Sequence, residues 1–145
     1  MATSKKSSSR LFAIQILYEM ELNGKSFEVI QKRFSDDSFI ELEKINNQGK
    51  PNKSYIEKLV KGTLENQKKV DDLINKNLKN WKLSRIESLV RSILRISVYE
   101  LIYVDDIPIK VIFNEYIEIA KFFFDGEEPS LINAVLDAVS KNAIK

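Results

Sequence analysis

The sequence predicts an all-α protein, and three observations carry that prediction. Four glycines and three prolines punctuate 145 residues, too few for the many turns of an all-β domain. Apolar residues recur at three- and four-residue steps along most of the chain, the spacing that lines one face of a helix. The capping-box pattern Ser-x-x-Glu occurs at Ser38/Glu41, Ser54/Glu57 and Ser84/Glu87, each time ahead of a helical run, where the hydroxyl and the carboxylate satisfy unpaired first-turn amides.

Taken in order, the first helix is expected from Ser8 or Ser9 to Asn23, with Gly24 as its stop. Leu11, Phe12, Ile14, Ile16, Leu17 and Met20 leave only a narrow polar strip at Gln15 and Glu19, so this helix should be enclosed by others. A short helix from Ser26 to Phe34 follows, then one from Ser38, then a polar stretch from Asn46 to Asn52 that reads as a mobile loop. Ser54 opens a long periodic segment ending around Trp81, with Gly62 available for a bend or close contact. Ser84 caps the next helix, which carries Ile86, Leu89, Val90, Ile93 and Leu94 on a broad apolar face and Glu87, Arg91 and Arg95 on another. Asp106 and Pro108 read as cap and first-turn proline of a helix with Ile109, Ile112, Phe113, Tyr116, Ile119, Ala120 and Phe123 inside. The turn from Asp125 to Pro129 ends it, and Ser130 leads a last helix that buries Leu131, Ile132, Val135, Leu136 and Val139.

Hydrophobic residues make up 43% and charged residues 30%, a composition that forms a core. The length suits one compact unit or two fused halves and argues against a multidomain enzyme. There is no cysteine and no histidine, which removes disulfides, thiol nucleophiles, imidazole bases and metal sites built on sulfur or nitrogen. No cofactor-binding motif, phosphate loop or calcium loop is present, and no metal or catalytic set emerges. Asp71-Asp72 reads as a solvated pair, because neighbours on a helix face apart. The first apolar stretch, Leu11 to Leu22, is interrupted by Gln15, Glu19 and Glu21, so neither a secretory signal nor a membrane span is expected and a cytoplasmic location follows.

The net charge of +2 is unevenly spread. Residues 1–10 carry +3, residues 11–62 are neutral, residues 63–100 carry +3 and residues 101–145 carry −4. Basic and acidic regions of this kind suit one surface for a polyanion and another for a basic partner. Lys5, Lys6 and Arg10 lie in a serine-rich arm joined directly to a hydrophobic helix, a construction that lays cations along phosphates. Tyr18 could stack on a base, although an aromatic on an apolar helix equally serves as core. Of Phe122, Phe123 and Phe124, at least one must lie near the surface beside the acidic turn, since three consecutive helical side chains cannot face one core.

The run Ile93-Leu-Arg-Ile-Ser-Val-Tyr-Glu-Leu101, then Asp106-Ile-Pro-Ile-Lys-Val111, Asn114-Glu115, Ile119-Ala-Lys121 and Ile132-Asn-Ala-Val-Leu-Asp137, resembles the NusB family of bacterial transcription antitermination factors. Arg10-Leu-Phe-Ala-Ile-Gln-Ile-Leu-Tyr18 is similar to that family's first helix. The resemblance covers nearly the whole chain and is weakest from 24 to 52. It implies one domain of two packed helical subdomains, about 1–80 and 81–145, and a non-enzymatic role without a cofactor. That role is to bind the boxA element of nascent RNA together with the ribosomal protein NusE, in the RNA polymerase antitermination complex of ribosomal RNA operons.

By the same resemblance, the RNA contacts are Lys5, Lys6, Arg10, Tyr18, Phe123 and Glu127, and the partner side lies near Glu87 and Arg91. Some relatives dimerise, which leaves a homodimer open. The arm is poorer in arginine than in many relatives, and Val90 stands where the family commonly has an acid. Arg95 and Glu100 read as ties between helices, and Asn114, Asn133 and Asp137 as loop braces. Two other readings stay open. One is the RNA-binding domain of ribosomal RNA cytosine methyltransferases, which continue into a cofactor domain that this sequence lacks. The other is a purely protein-binding helical adaptor.

Overall fold

The computed structural model describes residues 2–33, 51–79 and 82–143. These residues form seven α-helices and, among them, no strand, as the periodicity predicts. They divide into two compact units, Met1–Gly62 and Thr63–Lys145. The division falls inside a helix. The expected helix from Ser38 and most of the loop from Asn46 lie outside the described residues.

In the first unit, α1 spans Ala2–Asn23 and begins well before the expected Ser8. No proline or glycine interrupts residues 2–9, so the basic arm continues the helix instead of trailing from it. Every residue from Ser7 to Ile14 is buried. Gly24 ends α1 at φ +67° and donates its amide to Met20 O at 2.9 Å, a left-handed stop that glycine adopts without strain. Helix α2, Phe27–Arg33, is capped by Ser26, whose Oγ accepts from Val29 N at 3.3 Å, and it buries Phe27 and Ile30. Helix α3, Lys53–Glu65, starts one residue before Ser54 and takes Asn52 as its cap, with Tyr55 N donating to Asn52 Oδ1 at 3.2 Å. An asparagine satisfies a first-turn amide as well as a serine does, so the box at Ser54 is not used. Asn52 is itself tied to α1, since Ser9 Oγ accepts from Asn52 N at 2.7 Å and donates to Asn52 O at 3.2 Å.

The second unit holds α4, Gln67–Lys76, a 3-10 turn at Leu83–Arg85, α5, Ser88–Tyr103, α6, Ile109–Phe123, and α7, Glu128–Ala143. The long segment read from Ser54 is therefore two helices. Asn66, at φ −114° and ψ 19°, leaves the helical region between them, and a one-residue break is too short to disturb the apolar spacing. Helix α5 packs against α4, α6 and α7, which is why Val90, Ile93, Leu94, Ile96, Val98 and Leu101 are all buried. Ile112, Tyr116, Ile119 and Ala120 of α6 and Ile132, Val135, Leu136 and Val139 of α7 are buried as expected.

Ile109 is exposed, because α6 opens there, right after Pro108. Pro108 occupies the cap position itself and no side chain caps the helix, so Asp106 does not serve as cap. Helix α7 begins at Glu128 rather than Ser130, placing Pro129 in the first turn, where its missing N–H is not needed. The third capping box also shifts. Ser84 lies in the 3-10 turn, and Glu87 caps α5 by accepting from Leu89 N at 3.0 Å and Val90 N at 3.1 Å.

Candidate nucleic-acid interface

Two regions, one in each unit, contain the residues expected to touch RNA. In the first unit the ring of Tyr55 gathers cations: Lys6 Nζ lies 5.0 Å, Lys58 Nζ 5.9 Å and Arg10 Cζ 6.0 Å from its centroid. Lys6 and Arg10 meet because they are one helical turn apart on α1. Tyr55 reaches them because Ser9 holds Asn52 and Asn52 caps the helix that carries Tyr55. A desolvated aromatic face attracts cations through its quadrupole, and Tyr55 is 8% exposed.

Arg10 is 2% exposed. The resemblance put it among the phosphate contacts; α1 is enclosed at this point, so the guanidinium is buried within 6.0 Å of the same ring. Lys6 is half-buried with its amine on the ring, Tyr18 is half-buried, and Lys5 is on the same helical segment. Tyr55 and Lys58 were missed from sequence. Their i, i+3 spacing put them on one face, but nothing local linked that face to α1.

In the second unit, Phe122, Phe123 and Phe124 form an aromatic run into the turn before α7. Phe122 is 47% exposed and meets Phe123 edge-on at 5.1 Å, and Phe123 tilts against Phe124 at 6.5 Å. Glu127 is exposed in that turn. Gly126 is exposed there too, with the Glu128 carboxylate its nearest neighbour. The turn thus presents a stacking surface beside a carboxylate acceptor.

The two residues expected on the partner side both have work inside the unit. Glu87 is the α5 cap. Arg91 Nη1 donates to Ile86 O at 2.5 Å and more weakly to Leu83 O and Ser84 O, each at 3.4 Å, bracing the 3-10 turn. Burial, and then the neighbouring Arg95, lower the Arg91 pKa from its ordinary value. Val90 is buried, which accounts for an apolar residue there.

Arg95 and Glu100 are ties between helices, as expected. Arg95 donates from Nε and Nη2 to the two oxygens of Asp71 at 2.8 and 3.0 Å, so Asp71 is an ion-pair partner and only Asp72 belongs to a solvated pair, with Lys68 at 3.6 Å. Tyr116 OH donates to the buried Glu100 Oε1 at 2.6 Å. Asn114, Asn133 and Asp137 line an open groove of about 590 Å³ between α6 and α7. Its rim charges pair locally, Glu118 with Lys121 at 3.8 Å and Asp137 with Lys141 at 3.1 Å. Among the described residues no acidic cluster is placed to hold a metal ion, and no helix is long and apolar enough to cross a membrane.

Fold and site together define a class: an all-helical binding scaffold with clustered cations on one unit and an aromatic, acidic turn on the other. The chain belongs to the NusB family, whose profile matches residues 7–141. It is similar to the transcription antitermination protein NusB of Caulobacter vibrioides, 37% identical over 142 residues and covering 95% of this chain and 93% of the relative. The protein of the same name from Sinorhizobium fredii is 40% identical over 139 residues, covering 95% and 87%.

Among solved structures, T. maritima NusB superposes with a TM-score of 0.77 at 29% identity, covering 94% of this chain and 90% of that one. A protein chain in the structure of a plectonemic RNA supercoil gives 0.79 at 26%, with 97% of each covered. A chain in the complex of antitermination factors NusB and NusE with dsRNA gives 0.76 at 24%, covering 97% and 98%, a likeness of fold.

Proposed function

We propose that the protein is a non-enzymatic, cytoplasmic antitermination factor that binds boxA RNA together with a NusE-type ribosomal protein, within the RNA polymerase antitermination complex of ribosomal RNA operons. The observation that carries this reading is the convergence of Lys6 and Arg10 on Tyr55, at the basic end of a chain that matches the family from residue 7 to 141. A chain of the same fold occurring with RNA supports the ligand class.

In this reading the two units act as one RNA-binding domain. Lys5 and Lys6 take phosphates, with the buried Arg10 adding positive field. Tyr18 and Phe123 take bases by stacking. Glu127 accepts from base amino or imino groups and so contributes specificity where the lysines contribute affinity. Glu87 and Arg91 form the partner-facing edge.

The test is an RNA titration with and without saturating partner. Cooperative binding is expected, with a coupling of about 1 to 3 kcal/mol, or roughly 5- to 150-fold in affinity. Deleting residues 1–6 should weaken boxA and scrambled RNA alike, because phosphate contacts carry no sequence information. Equal RNA affinity with and without partner would sink the cooperative reading. No salt-sensitive RNA association at all would identify a protein adaptor instead.

A further inference from the structure

Helix α3 carries two lysines one turn apart on which the fold imposes opposite fates. Lys61 Nζ lies 3.0 Å from Glu57 Oε2 and 3.3 Å from Glu28 Oε2. Those two carboxylates, Glu57 first, raise its pKa, and its charge is spent on them. Lys58 is exposed and points to the ring of Tyr55, where Lys6 arrives from α1. Among the described residues neither Lys6 nor Lys58 is in an ion pair. Two ammonium groups therefore approach one aromatic ring. Their mutual repulsion is relieved by an anion seated between the two lysines, and the ring beneath keeps both amines oriented without neutralising them.

We propose that Lys58 and Lys6 form a phosphate-binding site over Tyr55 that extends the path of single-stranded RNA from α1 onto α3. This rests on the RNA-binding reading above and adds a residue that neither the basic arm nor the aromatic turn supplies. A phosphate contact here contributes affinity and salt sensitivity but no sequence preference. Lys61, one turn further on, contributes little of either, because it has few counterions to release.

The experiment measures affinity for a boxA oligoribonucleotide and for a scrambled one across a salt series, using the full chain and the variants Lys58→Gln and Lys61→Gln. Each single-strand phosphate contact contributes about 0.7 to the slope of log affinity against log salt. Lys58→Gln should therefore be shallower by about 0.7 and weaken both RNAs by the same factor. Its deficit relative to the unsubstituted chain should shrink about 2.6-fold between 50 and 200 mM salt, which is the same relation read as a ratio. Lys61→Gln should keep the original slope.

If the unsubstituted chain binds RNA and Lys58→Gln matches its slope, the site over Tyr55 is wrong and the broader reading stands. If Lys61→Gln shifts the slope as much as Lys58→Gln, general surface charge rather than this cluster is responsible, and the proposal is equally overturned. If the unsubstituted chain binds neither RNA, the broader reading fails and takes this site with it.

Discussion

Helices α1 and α5 are both enclosed nearly all round and both bury polar groups, but they dispose of charge in opposite ways. On α5, Glu100 is fully buried and receives the Tyr116 hydroxyl, Arg95 makes a two-pronged pair with Asp71, and Ser97 Oγ donates to Leu94 O at 3.1 Å. These α5 charges are matched within the second unit, so this helix is a scaffold. On α1, Ser7, Ser8, Ser9 and Arg10 are buried in succession, and the cations around them converge on the Tyr55 ring. A ring orients positive charge and leaves it positive. The difference separates charges matched within the fold from the Lys6 amine, which is left charged beside the Tyr55 ring while Ser9 of the same helix holds Asn52.

The largest expected effect tests whether the second unit is such a scaffold. Ile112 and Leu136 are 1% and 0% exposed, so replacing either with Ala should lower stability by about 2 to 5 kcal/mol in urea melts. Glu118, on the exposed face of α6, should change by less than about 0.5 kcal/mol under the same substitution. Equal, small losses at all three would mean that the second unit has no close-packed core.

A smaller effect is expected from Tyr116→Phe, which removes the hydroxyl bonded to Glu100 at 2.6 Å. Losing that donor beside a buried carboxylate should cost about 1 to 3 kcal/mol, read as a lower urea midpoint. RNA affinity of the folded variant should not move. A change in RNA affinity with unchanged stability would put Glu100 on the ligand side of the comparison.

The smallest effect concerns Glu87, which could belong to either group. Glu87→Ala should cost about 1 kcal/mol as a lost cap. Glu87→Asn should restore most of that stability, since asparagine is a strong cap residue, while removing the negative charge. If partner affinity falls with both variants and stability only with Ala, Glu87 holds the helix and also meets the partner. If partner affinity is unchanged in Glu87→Asn, the residue is a cap and nothing more.

The positions of α2, α5, α6 and α7, the glycine stop of α1 and most of the buried faces of α6 and α7 were legible in the sequence, whereas Ile109 is exposed and Phe113, Phe123 and Leu131 are only half-buried. So were the roles of Arg95 and Glu100 as ties and the surfacing of one phenylalanine at the last turn. The capping boxes at Ser54 and Ser84 misled because several residues near a helix start can accept from its first amides. Which one does so depends on where the preceding chain enters, and Asn52 and Glu87 were better placed. Aromatic Tyr55 and basic Lys58 gave no local signal, because their significance lies in the arrival of Lys6 from another helix.

What the sequence by itself determined is the helical class, the faces turned inward and the family, since side-chain periodicity and ordered motifs are properties of neighbouring residues along the chain. Only the tertiary structure decided which charges are spent and which remain available. Ser9 with Asn52, Arg95 with Asp71, and Tyr116 with Glu100 join residues 43, 24 and 16 positions apart, and the same packing that brings them together drew Arg10 inside and brought Lys58 and Lys6 to one ring. A cation's role follows from what surrounds it, and at these separations the surroundings exist only once the helices have packed.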